Sequence, residues 1–401
     1  MNLNDTPAGE RLHIGFFGCR NAGKSSLINA IAAQDVAVVS PEKGTTTDPV
    51  TKAMELLPLG PVLLIDTPGF DDTGALGDLR VKRTRRILNK TDIAVLVLDD
   101  ILGITSADQE LLKIFREKNI PYLIVRNKCD DGTSSAASCP ETDLCVSAVK
   151  RRGIEALKEK LGQRIPQEKP RSFVRDLLLP QDLVLLITPM DKAAPKGRLI
   201  LPQQQAIRDI LEANALALVC QETEITAALN RLKKAPDLVI CDSQIFQKAA
   251  AAIPETVPLT SFSILMARYK GFLAAAVDGV ASLTCLADGD TVLISEGCTH
   301  HRQCNDIGTV KIPHWLTEYT QKKLRFETSS GQTFPENLQK YRLIVHCGGC
   351  MLNPREMLYR MKCAKDQNVP MTNYGILIAH LHGILHRSLT LFPHLAVKLN
   401  A

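Results

Sequence analysis

The chain has 401 residues, 45% hydrophobic and 23% charged, with a formal net charge of +5. Such a length exceeds one ordinary hydrophobic core and divides into two or three domains. The composition is that of a soluble globular protein: no run of about 18 apolar residues is present to span a bilayer, and the small positive charge does not by itself call for nucleic acid.

In chain order, the opening MNLNDTPAGERLHIGFFG carries acidic residues ahead of a short apolar run, unlike a secretory or transit signal, so a cytoplasmic protein is expected. From residue 12 to about 165 the apolar runs HIGFFG, VLLIDTPG, IAVLVLDD and PYLIVRNK read as buried parallel strands with amphipathic segments between them. This predicts a doubly wound α/β domain over 1–170. The stretch RIPQEKPRS reads as a linker. The runs DLVLLITP, ALALVC and DLVICDS, separated by QQQAIRDILEAN and ITAALNRLKK, then predict a smaller α/β unit over 171–270 without a Gly-rich loop, read as a structural or dimerisation module. A third region, 271–401, is expected to be a further α/β domain carrying a metal site, because Cys298, His300, His301, Cys304, His346, Cys347 and Cys350 gather there. No internal repeat or low-complexity tract stands out. Arg80, Lys82, Arg83, Arg85, Arg86 and Lys90 crowd a probable helix that could meet RNA, an acidic partner or only solvent.

Gly18-Cys19-Arg20-Asn21-Ala22-Gly23-Lys24-Ser25 satisfies G-x-x-x-x-G-K-[ST] and stands between a strand and the helix SSLINAIAA. The backbone N–H groups from Gly18 through Asn21, Ala22 and Gly23 to Ser26 can cradle phosphates, Lys24 can bridge the β- and γ-phosphates, and the Ser25 hydroxyl can bind Mg²⁺. Asp66-Thr67-Pro68-Gly69 ends a strand, so that Asp66 reaches Mg²⁺ and the Gly69 N–H senses the γ-phosphate. Asn127-Lys128-Cys129-Asp130 closes another strand; Asp130 can accept two N–H donors, which selects guanine, and Ser147-Ala148 completes the base pocket.

These motifs in this order resemble the Era-type and tRNA-modification branch of the P-loop small GTPases. The resemblance implies that Thr46, within Gly44-Thr45-Thr46-Thr47-Asp48, is the switch threonine that reports on Mg²⁺. It also implies that Asn21 can hold a K⁺ ion supplying catalytic charge, the more so because Phe70 stands where a Ras-like enzyme has its water-orienting Gln. Lys24, Asn21 and Thr46 are thus the expected catalytic residues.

Cys298-Thr299-His300-His301 and His346-Cys347-Gly348-Gly349-Cys350 form the pattern C-x-H … H-C-x-x-C. Two glycines inside Cys-x-x-Cys let both sulfurs face one metal while backbone N–H groups point toward them. Tetrahedral zinc on three Cys and one His, and a 4Fe-4S cluster on three Cys with one iron left to a labile ligand, both satisfy the spacing. Cys304 is read as a bystander, and His382 and His386, at helical i, i+4 spacing, as a packed or capping pair.

A GTPase of this type, a middle region containing TPMDKAAPKGRLILPQ, and C-x-H … H-C-x-x-C together resemble the HydF family of FeFe-hydrogenase maturation GTPases over essentially the whole chain. The resemblance implies a homodimer through the middle domain and a 4Fe-4S cluster on Cys298, Cys347 and Cys350. His300 and His346 are then further candidate ligands, with Asp191 or an exogenous group as alternatives at the fourth iron. It implies a transient di-iron precursor accepted from radical-SAM maturases and passed to apo FeFe-hydrogenase, with no membrane and no nucleic acid. The competing expectation from the basic segment is an RNA- or ribosome-associated Era-like GTPase with structural zinc.

Overall fold

A computed structural model describes residues 6, 8–32, 39–42, 50–69, 84, 87–130, 144–164, 171–189, 199–297, 306–331 and 334–397. The chain divides into two compact units, one of residues 4–169 and one formed chiefly by residues 170–401.

The first unit is built on a seven-stranded sheet of β1 (Leu12–Phe17), β2 (Val39–Glu42), β3 (Val50–Leu56), β4 (Gly60–Asp66), β5 (Ile93–Asp99), β6 (Tyr122–Asn127) and β7 (Leu144–Cys145). Their order is β2-β3-β4-β1-β5-β6-β7. The strands expected from the apolar runs, β1, β4, β5 and β6, are parallel and central; they read as near-continuous hydrophobic stretches because both faces are covered. On one face Phe16 and Val95 pack with Leu27 and Ile31 of the helix Lys24–Ala32 and Leu157 of the helix Ile154–Arg164. On the other face Phe17 and Leu96 pack with Leu111 and Phe115 of the helix Ser106–Glu117, as the two-residue period of a strand requires. The sheet also carries β3, antiparallel to both β2 and β4. That pair escapes sequence reading because β3, VTKAMEL, is half solvated and has no continuous apolar run.

The second unit holds two four-stranded parallel sheets. One contains β8 (Leu183–Ile187), β9 (Leu216–Cys220), β10 (Leu238–Cys241) and β11 (Leu259–Ser261); the other contains β12 (Thr291–Ser295), β13 (Arg325–Ser329), β14 (Leu343–His346) and β15 (Met371–Asn373). Their orders, β11-β10-β8-β9 and β13-β12-β14-β15, are the same topology: second, first, third, fourth strand. The registers agree as well. Ile187 faces Cys220 and Cys241 in one sheet, and Ser295 faces Ser329 and His346 in the other; Cys241 faces Ser261 where His346 faces Asn373.

The expectation of no internal repeat is therefore corrected: this unit is a tandem duplication. It is nearly invisible in the sequence because Val, Ile and Leu exchange freely at buried strand and helix positions. The likeness survives at Val257-Pro-Leu-Thr-Ser-Phe262 and Val369-Pro-Met-Thr-Asn-Tyr374, where strand passes into helix and the Ser261 or Asn373 side chain accepts from the N–H three residues on.

The two copies interlock. The helix Leu273–Val280, which follows the first copy, lies on β15 of the second, where Thr372 donates to the Ala276 carbonyl at 2.8 Å. The approach is close enough that a Cβ on Gly279 would sit 2.1 Å from the Met371 carbonyl oxygen. The helix Leu385–Ser388, which follows the second copy, returns to β11 of the first, and Arg387 donates to the carbonyls of Ala250, Ile253, Pro254 and Val257. Gly383, with φ +70°, ends one helix before the next begins, so His382 and His386 do not share a helix; His382 packs edge-on against Trp315. A single hydrophobic core runs through both copies. Among the described residues no helix is long and apolar enough to cross a membrane.

Candidate functional site

The phosphate loop leaves the C-terminal end of β1, at the centre of the first sheet. Gly18 has φ +137°, and a Cβ there would fall 2.2 Å from the Val97 carbonyl oxygen; Gly23 has φ +88°, and its Cβ would fall 2.2 Å from Asn127 Nδ2. Only glycine fits either place. Asn21 is exposed on the loop in the left-handed region, at φ 63°. Lys24 is buried and arches back over the loop, its Nζ donating to the carbonyls of Gly18 at 3.0 Å and Cys19 at 2.7 Å. Ser25 Oγ donates to Asp66 Oδ2 at 2.5 Å, while Asp66 Oδ1 is buried without a hydrogen-bond partner. A hydroxyl beside a carboxylate with an orphaned oxygen is a donor set that suits Mg²⁺. Cys19 also anchors the loop, its thiol lying 3.2 Å from Thr105 Oγ1 and 3.6 Å from Asp108 at the start of the helix Ser106–Glu117.

The base-reading loops follow β6 and β7. Asn127 Nδ2 donates to the Ala22 carbonyl at 3.1 Å and its Oδ1 accepts from Ala148 N–H at 3.1 Å, so one buried amide joins the phosphate loop to the Ser147-Ala148 turn. Ser147 Oγ donates to Asp130 Oδ1 at 2.5 Å, orienting the carboxylate expected to read guanine. Lys128, at φ 71°, donates to Asp99 Oδ2 at 2.6 Å. Burial pushes the Asp99 carboxyl up, but the bonds from Lys128 and the Ile101 N–H outweigh it and hold the pKa below the ordinary range. Gly69 lies at the end of the Asp66 segment, half-buried, and Ser26 is exposed in the first turn of the helix Lys24–Ala32.

In the second unit, Cys347 and Cys350 lie just beyond β14. Strands β12 and β14 are neighbours whose onward connections leave to opposite sides, toward β13 and β15, and the crevice outside such a switch point is where α/β sheets bind ligands. Cys347 Sγ accepts from the Gly297 N–H at 3.1 Å and the Gly349 N–H at 3.3 Å. Gly349 has φ +66°, and a Cβ on it would meet Met357 Sδ at 2.8 Å. Burial raises the Cys350 thiol pKa, offset in part by the Lys270 ammonium and by the N–H groups of Cys350 and Met351.

His346 is fully buried at the end of β14. Arg360 Nη1 lies 3.1 Å from its Nε2, and its Nδ1 lies 2.7 Å from the Cys347 carbonyl oxygen. A guanidinium can only donate, so Nε2 accepts and Nδ1 carries the proton. Burial first, then the Arg360 charge, bring its pKa down to about 3. In this arrangement both ring nitrogens of His346, expected among the metal ligands, are engaged within the protein, Nδ1 by the Cys347 carbonyl and Nε2 by Arg360. Arg360 is held by Glu356 at 3.0 Å and by the Gly331 carbonyl at 2.8 Å. Sequence reading missed Arg360, Glu356 and Lys270; only the helical spacing of Glu356 and Arg360 hinted at a pair.

Thr46, Phe70, Asp191, Cys298, His300, His301, Cys304 and the run Arg80, Lys82, Arg83, Arg85 and Arg86 lie outside the described residues. No group of three or more metal-binding side chains occurs among the described residues.

Comparison with known proteins bears on both units. A model of 50S ribosome-binding GTPases matches residues 13–128. The tRNA modification GTPase MnmE of Nitrosospira multiformis is 34% identical over 163 residues, covering 39% of this chain and 35% of its own. That of Herminiimonas arsenicoxydans is 36% identical over 157 residues, with 37% and 33% covered. The chain thus spans about a third of the length of these relatives. The structure of Era from Aquifex aeolicus bound to GDP and aluminium fluoride aligns over 52% of this chain and 92% of that one, at 19% identity and a TM-score of 0.33. The first unit is a GTPase domain of the P-loop type. Models of the hydrogen maturase F dimerization domain and tetramerization domain match residues 173–271 and 274–391, one for each copy of the duplicated unit. With more than half of its length matched by these two, and the GTPase domain ahead of them, the chain belongs to the hydrogen maturase F family.

Proposed function

We propose that this chain is a GTPase and iron-sulfur scaffold of FeFe-hydrogenase maturation, accepting a di-iron precursor from radical-SAM maturases and passing it to apo-hydrogenase. The observation that carries the reading is the Cys347–Cys350 turn at the switch point of the hydrogen maturase F region, with two backbone N–H groups already aimed at Cys347 Sγ. Such donors stabilise a thiolate and suit a cluster ligand. Cys347 and Cys350, with Cys298, would hold a 4Fe-4S cluster whose three-thiolate set leaves one iron to an exchangeable ligand. Around that site Arg360 fixes the His346 tautomer and His346 fixes the Cys347 carbonyl, so His346 serves as a positioning residue; His300 is retained as a candidate for the labile position.

In the GTPase domain Lys24 supplies charge to the β- and γ-phosphates, Ser25 and Asp66 hold Mg²⁺ with Thr46, Gly69 senses the γ-phosphate, and Asp130, oriented by Ser147, selects guanine. Asn21, exposed on the loop, would hold K⁺. Assembly is proposed through the middle sheet: β9 is one of its two edge strands, and Leu216 and Val219 on it are 59% and 43% exposed. An apolar open edge of this kind is ordinarily covered by another chain, here a second copy.

Anaerobic purification followed by iron, zinc and acid-labile sulfide analysis tests the reading. Iron and sulfide in equal amounts, lost in Cys347→Ala and Cys350→Ala with GTP hydrolysis intact, is the expected result. Stoichiometric zinc without sulfide overturns it in favour of a structural zinc site.

A further inference from the structure

A cluster of four groups beneath the base-reading loops is not used by nucleotide recognition. Arg126 and Cys145 are direct partners across β6 and β7, and Arg126 Nη2 donates to Cys145 Sγ at 3.2 Å. Cys129, inside the Asn127–Asp130 segment, points its thiol at the carbonyl of the same Arg126 at 3.5 Å. Its own N–H donates to the Val146 carbonyl at 3.1 Å. Arg126 Nη1 pairs with Asp100 Oδ1 at 3.5 Å. Both thiols therefore lie against Arg126, Cys145 on its guanidinium and Cys129 on its carbonyl, and Cys129 is joined through its N–H to the residue that follows Cys145. Each cysteine thus lies in or next to one of the two base-reading loops: Asp130 follows Cys129 directly, and Ser147 and Ala148 lie two and three residues past Cys145, the last residue of β7.

We propose that Cys129 and Cys145 are a modification site, forming a reversible disulfide across the guanine pocket in exchange with a small organic disulfide and lowering nucleotide affinity while it lasts. The inference rests on reading the first unit as a guanine-nucleotide site.

The chemistry assigns different parts to the two thiols. Burial, then the neighbouring Cys145 and Asp100, push the Cys129 thiol up to about 12, which makes it a poor first nucleophile. Cys145, half-buried and bonded to a guanidinium, attacks the incoming disulfide, forming a mixed disulfide and releasing one small thiol. Cys129 then attacks Cys145 Sγ and gives up its proton. The protein disulfide forms, the second small thiol leaves and takes that proton, and one disulfide has been reduced for the one formed.

The bond replaces the contacts of both sulfurs with Arg126 and draws the segment 145–148 toward 129. The short Ser147–Asp130 bond and the Ala148–Asn127 bond are the contacts that feel this shift. Losing the alignment of one charge-assisted hydrogen bond corresponds to about tenfold in affinity or more.

The test uses the full chain, purified anaerobically and treated with hydroxyethyl disulfide, then mapped by peptide mass spectrometry and titrated with a fluorescent GDP analogue. A Cys129–Cys145 linkage, an affinity about tenfold weaker, recovery with dithiothreitol, and insensitivity of Cys145→Ser and Cys145→Ala to the reagent are expected. No such linkage, a linkage with unchanged affinity, or an equal loss of affinity in both variants overturns the proposal. Failure of the reduced protein to bind the analogue at all overturns the nucleotide-site reading, and this inference with it.

Discussion

Asp66 has one carboxylate oxygen on Ser25 and the other buried with no partner, a state that costs stability unless a cation or donor meets it. Asp66→Asn is therefore expected to leave the fold intact and to cut Mg²⁺-dependent GTP hydrolysis by about 100-fold, with a similar loss in Lys24→Ala, measured as phosphate release. At Asp130 the prediction concerns selectivity. An amide donates where the carboxylate accepted, so Asp130→Asn should turn preference from GTP toward xanthosine triphosphate, read from the ratio of kcat/KM values. At Asn21 the expectation is faster hydrolysis in potassium than in sodium chloride at equal ionic strength, a difference that Asn21→Ala removes. Asp66, Lys24 and Asp130 are expected from the sequence because phosphate, magnesium and guanine each impose a residue type at a fixed offset from a strand end, and Asn21 from the family resemblance. For His346, nothing in the pattern C-x-H … H-C-x-x-C shows that Arg360, fourteen residues on, lies against Nε2.

At the scale of elements, the phosphate loop and the cysteine turn are both strand-to-helix junctions in which a glycine at positive φ clears a neighbouring side chain. Gly23→Ala places a methyl 2.2 Å from Asn127 Nδ2 and should abolish nucleotide binding, followed by fluorescent analogue titration, while thermal unfolding of the second unit is unchanged. In the cysteine turn the support comes from the helix Pro354–Asp366. Arg360 is fully buried and Glu356 nearly so. Arg360→Met leaves that carboxylate without its cation and releases the His346 ring. The expected cost is about 3–5 kcal/mol, seen as a lowered Tm, together with lower iron content in the anaerobically prepared protein. An unchanged Tm and full iron content would remove the network from any part in holding the turn. Sequence periodicity found the central strands of the first sheet, three of the four strands of the next, and the helices Lys24–Ala32, Leu201–Glu212 and Ile225–Asn230, but the half-solvated β3 and the edge pairing with β2 depend on which face the rest of the chain covers.

For the molecule as a whole, the crossed helices of the duplicated unit bear on its folding. The strand β11 of the first copy is covered by the helix Leu385–Ser388 from the far end of the chain, and β15 of the second by the helix Leu273–Val280. Residues 171–270 produced alone should therefore lack the cover for β11 and the Arg387 bonds to four carbonyls, exposing apolar surface that favours aggregation. Residues 170–401 should fold, and residues 1–169 should bind GTP independently. Size-exclusion chromatography and circular dichroism of the three fragments check this, and a cooperative, monodisperse 171–270 fragment would refute it.

By itself the sequence determined the nucleotide chemistry and the α/β character of the chain, because those rest on local rules: glycine where φ is positive, charged and hydroxyl residues at strand ends, apolar runs where both faces are buried. It determined which cysteines and histidines form a pattern. Only the tertiary structure decided that the second half is one fold used twice, that the Cys347–Cys350 turn sits at a switch point, that Arg360 holds His346, and that Cys129 and Cys145 both lie against Arg126. Each of these depends on residues far apart in the chain being brought together by packing, and hydrophobic packing specifies volume and burial while leaving the identity of the residues free to drift.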